Sequence, residues 1–493
     1  MKSIKTIAIA TLPLILATSI GYIARTDTTV CAPKPTPDEI IITPTNHPAI
    51  DVKGLAKGQQ VTLPLVEGRF VTGVINLAQK CLSNEWRYGG NLLQGDGTFA
   101  LAVDSNNTIT GHIIIHSKQI AYTLNHGVFE PIPINSIVCS QLPGETNTDL
   151  EAGAAVETGT ITSTDVFTKV PRLASRPAAK VHMYLDFDGE QVMDPLWNGG
   201  RLIDAKAPVY TEAQIREIWS IVAERYAAFN INVTTKLEDY TNADINSRAR
   251  AIFTPTNGWR RGFGGIAMIS SMRNAGKGVW SSNIPCWVFT NMLSRLRSVG
   301  ECAAHELAHT LSLTHDGKDK ATYYTGQGDW APIMGTTYNK PIAQWSKGEY
   351  TGANNTQDDI AIILSNKNVT FAIAQRTAPT LTFVNGIRAT GVICNETDVS
   401  TYRTSISKSG KLTMMCTVPT YGALNIKLEL VDLKGKVIAA SDTLNSLNTT
   451  TTVDVTPGVY TVRVQGVGEG DVKTTGYTKY GSIGTFTLVT ELK

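Results

Sequence analysis

Three of the chain's eight histidines fall in the run His305-Glu306-Leu307-Ala308-His309-Thr310-Leu311-Ser312-Leu313-Thr314-His315-Asp316. On an α-helix, residues four apart lie one above the other. His305 and His309 can therefore turn two ring nitrogens to one ion at roughly 2.0–2.1 Å. Glu306 lies about 100° round such a helix from His305. That places it beside the ion and not on it, where a carboxylate can take a proton from water. Ala304, Leu307, Ala308 and Leu311 follow helical spacing and predict a buried face. His315 cannot join on a continuous helix, because ten residues give about 1000° of rotation and ~15 Å of rise. The chain must leave the helix after His309. A left-handed residue just past the helix does this most easily, and the residue at that position is Ser312. A residue other than glycine there costs on the order of 1–2 kcal/mol.

Around this segment the chain has room for two to four domains, at roughly 100–200 residues each in 493. Lys plus Arg number 44 and Asp plus Glu 42, a net charge of +2. That balance excludes a broadly basic nucleic-acid binder and an acidic solvating tail. Hydrophobic residues make up 42% and charged residues 17%, so a large core is available and wholesale disorder is excluded. Thr, Ser, Asn and Gly replace the missing charge, as in secreted β-rich proteins. Lys2 and Lys5 precede an apolar stretch from Ile7 to Ile23, which reads as a secretory signal peptide over residues 1–24. A secreted or cell-surface location follows, with no membrane span once that segment is cleaved. Seven cysteines group by region as Cys81 with Cys139, Cys286 with Cys302 and Cys394 with Cys416, leaving Cys31 odd. In an exported protein such groups predict disulfides.

Pattern changes divide the rest. Residues 25–145 hold short apolar runs between glycine turns and predict an all-β domain, a candidate propeptide. Residues 146–176 lose the pattern and read as a linker. Residues 177–379 mix strands with helices. One helix opens at Thr211 and buries Ile215, Ile218 and Val222; another opens at the capping pattern Thr356-Gln357-Asp358-Asp359. From 380 to 493 strict alternation returns, as in Leu424, Ile426, Leu428 and Leu430, and predicts a β-sandwich. Glycines 262, 264 and 265 lack the lysine and strand–helix context of a phosphate loop and suit a mobile or edge segment near a cleft.

The run HExxHxxxxxH followed by Asp resembles the metzincin zinc metallopeptidases. Trp330-Ala331-Pro332-Ile333-Met334-Gly335-Thr336 looks like their methionine turn, and the stretch through Gln344-Trp345-Ser346-Lys347-Gly348-Glu349-Tyr350 resembles bacterial secreted metzincin-like proteins. Gly458 to Val464 and Thr475 to Ser482 resemble the bacterial pre-peptidase C-terminal domain. The resemblance implies an α+β catalytic domain flanked by an N-terminal all-β domain and a C-terminal β-sandwich. It implies His305, His309 and His315 as ligands of one catalytic zinc, Glu306 as general base and Met334 as the floor of the site. Ser312 departs from the family's glycine. Tyr338 stands four residues past Met334, where the family's metal-reaching tyrosine stands two past, and Asp316 is a supporting candidate. Asp186 and Asp188 in a tight turn suit calcium.

These features predict a zinc endopeptidase acting on protein or peptide substrates, with cell-surface association as a further expectation. Two rivals stand beside it. One is a non-catalytic adhesion or carbohydrate-binding protein with a degenerate protease module. The other is a metal site whose third ligand is a distant glutamate such as Glu349.

Overall fold

The structure is a computed structural model that describes residues 41–42, 50, 52, 54–81, 84–141, 170–373 and 381–493. The expected signal peptide and Cys31 lie outside these residues. Alternating apolar residues and glycine turns between 60 and 133 fold as a meander. Consecutive strands from Gln60–Pro64 to Val128–Pro133 pair antiparallel in a sheet of eight strands among the described residues. Leu63, Ile75, Leu101, Ile113 and Phe129 fill its core.

The central region is built on a second sheet. Its strands, in chain order, are β1 (Val138–Gln141), β2 (Val181–Asp186), β3 (Ile231–Thr234), β4 (Arg248–Thr254), β5 (Gly265–Met268) and β6 (Cys286–Phe289). Their order across the sheet is β3-β2-β4-β6-β5-β1. The first four in that order are parallel, whereas β5 runs antiparallel to β6. The parallel strands Val181–Asp186 and Ile231–Thr234 are almost wholly buried, because helices cover them. Helix α1 (Glu212–Arg225) opens with the expected capping box, Thr211 with Gln214. Helix α2 (Leu296–Thr310) is buried along nearly its whole length. The two pack closely enough that a Cβ on Gly300 would meet Ile221 at 2.8 Å. Helix α3 (Asp359–Leu364) is capped by Asp358, whose side chain accepts from Ala361 N. The cap is thus two residues later than the pattern at Thr356 predicts.

The last region forms two antiparallel-rich sheets, one of five strands and one of four among the described residues. Leu412, Met414, Leu428, Leu430, Val462, Val464, Phe486 and Leu488 from both sheets are fully buried, which is the interior that the alternation predicts. The described protein is therefore multidomain and β-rich.

Three boundaries differ from the sequence reading. Residues 138–141 leave the N-terminal sheet and pair with β5 in the central one. Residues 173–175 are not linker: Ala174 bridges Thr234 and Ser175 N donates to Val233 O at 3.0 Å. The final sandwich is not isolated either, because one apolar core runs from Val181 to Leu488 through both regions. None of the six described cysteines forms a disulfide. Cys139 is instead drawn to the histidines, and Cys286, Cys302, Cys394 and Cys416 are buried as small apolar side chains. No helix among the described residues is long and apolar enough to cross a membrane.

Candidate metal centre

Helix α2 carries His305, Glu306 and His309 with no exposed surface on any of them. The Nδ1 of His305 donates to Ile333 O at 2.8 Å, and the Nδ1 of His309 donates to Leu313 O at 2.8 Å. Each bond fixes the tautomer and leaves Nε2 with its lone pair directed inward. The two Nε2 atoms converge to 2.9 Å. Two lone pairs that close repel unless a proton or a metal ion lies between them.

The helix ends as the position of His315 requires. Ser312 is left-handed, with φ of 88°. Ser312 N donates to His309 O at 3.0 Å and Leu313 N donates to Ala308 O at 3.3 Å, the pairing of a Schellman cap. Ser270 Oγ donates to Ser312 Oγ at 2.8 Å. This cap folds His315 back, so that its ring centroid lies 5.3 Å from that of His305 and 5.0 Å from that of His309. Burial holds His305 down to about 4 and holds His309 and His315 well below the ordinary imidazole value, with neighbouring imidazoles adding to the last two. All three are neutral at pH 7, the form that binds metal.

A fourth donor arrives from 176 residues upstream of His315: Cys139 Sγ contacts His315 Nε2 and lies 3.4 Å from its Nδ1. One donor atom each from Cys139, His305, His309 and His315 falls within 4.8 Å of the others. Three neutral imidazoles and a sulfur form a borderline-soft set that fits zinc. Cys139 sits on β1, opposite Ala267 of β5. Nothing local in the sequence marks it, because its neighbours are an ordinary strand and its partners are distant.

Glu306 lies under β5. A Cβ on Gly265 would come within 2.6 Å of Glu306 Oε1 and 2.7 Å of Cys302 Sγ, so only glycine lets the strand pass this close to the carboxylate. Gly265 opens β5, which lies between β6 and β1 inside the sheet and not at its edge, contrary to the edge segment expected here. Beside His305, whose Nδ1 reaches Ile333 O, Pro332 O accepts from Gly335 N at 3.0 Å and closes a tight turn around Ile333 and Met334. Met334 is fully buried in the core. Its carbonyl accepts from Asp316 N at 2.8 Å, and the Asp316 carboxyl is buried and pushed up to about 8 by burial and then by Glu349.

Tyr338 is buried beside Cys302 and Glu306 and makes no ring contact with the histidines. The tyrosine at the imidazoles is Tyr323, which the sequence did not single out. Its ring centroid is 4.1 Å from that of His315, and its phenol is pushed up by burial and by Cys139. Glu349 is not among the converging donors: its oxygens accept from Ser346 Oγ, Lys347 N and Thr478 Oγ1 at 2.8–2.9 Å. Asp186 accepts the guanidinium of Arg250, which also pairs with Glu190. Arg250 thus engages the Asp186 carboxylate in the turn where calcium was expected, and Asp188 N donates to Asp186 Oδ1 at 3.3 Å.

No family model matches the sequence, and a search of characterised proteins returns no match. Among solved structures, the pre-peptidase C-terminal domain of collagenase from Bacillus anthracis is similar at 13% identity, with a TM-score of 0.19, over 24% of this chain and 99% of that one.

Proposed function

We propose that the protein is a secreted zinc-dependent endopeptidase of metzincin type. The convergence of His305 Nε2 and His309 Nε2 to 2.9 Å, each held by a carbonyl behind it, carries this reading. His305, His309 and His315 would hold zinc as neutral imidazoles, and zinc would supply Lewis acidity to a scissile carbonyl and lower the pKa of water towards ~7. Glu306, one residue from His305 on the same helix, accepts the proton of the attacking water and hands it to the leaving amine. No covalent intermediate is required. Export rests on Lys2, Lys5 and the apolar run that follows them.

A second reading draws support from Cys139. Four protein donors would fill all four positions of a zinc ion, which is the habit of structural zinc. The protein would then be an adhesion or carbohydrate-binding module with a silent site.

Metal content and peptide-library cleavage decide between them, each measured on the unaltered chain and on Cys139→Ala. About one zinc per chain is expected, lost in His309→Ala. Glu306→Gln should keep zinc and fold but reduce cleavage by about 10²-fold or more. Zinc-loaded protein that cleaves nothing in either form would overturn the peptidase reading.

A further inference from the structure

We infer that the carboxylates of Asp316 and Asp359 hold a calcium ion between them, with the Glu349 carboxylate as a third negative charge beside it. The site is separate from the imidazole cluster and takes a different kind of metal. It stands whether or not the protein is a peptidase.

Two observations carry it. The first is a set of buried oxygens that nothing pairs. Asp316 and Asp359 have no exposed surface. Among the described residues, neither carboxylate oxygen of Asp316 has a hydrogen-bond partner, and Oδ1 of Asp359 has none. Buried carboxylates are normally paired with a cation or coordinate a metal. Asp186, by contrast, is equally buried and has Arg250. The second observation is the gathering of charge with no counter-charge. Asp359 Oδ2 accepts from Ser346 N at 2.9 Å, and Glu349 Oε2 accepts from Ser346 Oγ at 2.9 Å, so the two carboxylates flank one residue. The loop of Asp316 is tied to the same place, because Tyr350 Oη donates to Gly317 O at 2.8 Å. Burial and then the Asp316 carboxylate push the Asp359 carboxyl well above its ordinary value, and Glu349 adds to the rise. No basic side chain offsets it. The lysines of these loops are engaged elsewhere: Lys347 pairs with Glu396 at 3.6 Å and lies over Tyr480, and Lys318 lies over Tyr324.

The chemistry of these oxygens selects the ion. Carboxylates are hard donors, and calcium accepts irregular sets of about six to eight oxygens that carbonyls or water complete. Magnesium demands a stricter octahedron and sheds its water reluctantly, so it suits a buried pair of carboxylates poorly. The place of the site gives the ion its role. Asp316 directly follows His315, Asp359 opens α3, and Glu349 Oε1 accepts from Thr478 Oγ1 of the final sandwich at 2.8 Å. A calcium ion here fastens the loop that carries the third imidazole to α3 and to the sandwich. It also offsets the mutual repulsion of the carboxylates.

The test uses the full chain, stripped of metal and refilled with zinc alone, so that zinc is constant throughout. Equilibrium dialysis with metal analysis then counts bound calcium, and thermal melts are run with and without calcium at about 10 mM. About one calcium per chain is expected, and at about a hundredfold excess over Kd the midpoint should rise by about 4–8 °C. Asp316→Asn and Asp359→Asn each remove one of the repelling charges. Without calcium they should melt level with the unaltered chain or above it; with calcium they should fall below it, because they bind none. A role confined to packing or hydrogen bonding produces no such crossing. Glu349→Gln lies one step further from the ion and guards against aspartate variants that fail to fold; it should weaken calcium binding by about 10-fold. Four results overturn the inference: no bound calcium, an equal rise with magnesium, a rise that survives in Asp359→Asn, or undiminished binding in Glu349→Gln. Peptide cleavage is not a readout here, so failure of this site and failure of the peptidase reading are seen separately.

Discussion

At the scale of single residues, Ser312 shows how a local departure is absorbed. A left-handed Cβ costs on the order of 1–2 kcal/mol, and the Oγ–Oγ bond to Ser270, at 2.8 Å, returns about 0.5–1.5 kcal/mol. The two nearly cancel, so serine stands here at little net penalty. Ser312→Gly removes both and should leave the melting midpoint level or slightly raised. Ser312→Ala keeps the strain and loses the bond, so it should lower stability by about 1 kcal/mol. Thermal melts of the zinc-loaded variants check this. A glycine variant that falls as far as the alanine variant would show that the backbone at 312 is not strained.

At the scale of elements, α1 and α2 are locked by more than apolar contact. Arg225 and Glu301 pair bidentately, Nε to Oε2 at 2.9 Å and Nη2 to Oε1 at 2.5 Å, with both side chains almost wholly buried. The remaining Arg225 donor reaches Tyr421 O at 2.7 Å. Burying two charges gives little net stability, but removing one strands the other. Glu301→Leu should therefore destabilise by about 3–5 kcal/mol, whereas the double change Arg225→Met with Glu301→Leu should recover most of it. Denaturant titration measures both. A single variant within 1 kcal/mol of the parent would mean that water reaches Arg225. Because α2 carries the histidines, Glu301→Leu should also weaken zinc retention against a chelator.

At the scale of the whole molecule, the regions depend on one another. Gln344 Nε2 donates to Ala423 O at 2.6 Å, Tyr480 Oη donates to Asp358 Oδ1 at 2.7 Å and Thr485 Oγ1 donates to Glu224 Oε2 at 2.7 Å. Residues 170–375 expressed alone should be insoluble or should melt well below the full chain, in contrast to the free-standing sandwich that the alternation suggests. An equal midpoint would restore that independence. The N-terminal domain docks in a different way. Burial holds His112 and His116 down to about 4 from 6.5, with Arg260 also lowering His116. Between those values the unfolded or undocked imidazole binds a proton that the docked one refuses. Stability is therefore complete above pH 6.5 and is lost as pH falls from there towards 4. Melting at pH 7.5 and pH 5 should show the loss, and His112→Gln should reduce it. An equal drop in the variant would place the acid sensitivity elsewhere.

The sequence by itself determined what short-range geometry governs. The spacing of His305 and His309, the adjacent Glu306, the capping box at Thr211, the left-handed turn at Ser312 and the alternation of Leu428 with Leu430 all follow from helix and strand periods within a few residues. Composition likewise foretold a β-rich chain with a large core. Only the tertiary structure decided the rest. Cys139 meets His315 because β1 crosses from one domain's end to another domain's sheet, a pairing set by backbone hydrogen bonds that carry no residue signature. Tyr323 in place of Tyr338, Arg225 with Glu301, and the shared core from Val181 to Leu488 are contacts between segments far apart in the chain. Their partners are chosen by how sheets and helices stack, and no period along the sequence records that choice.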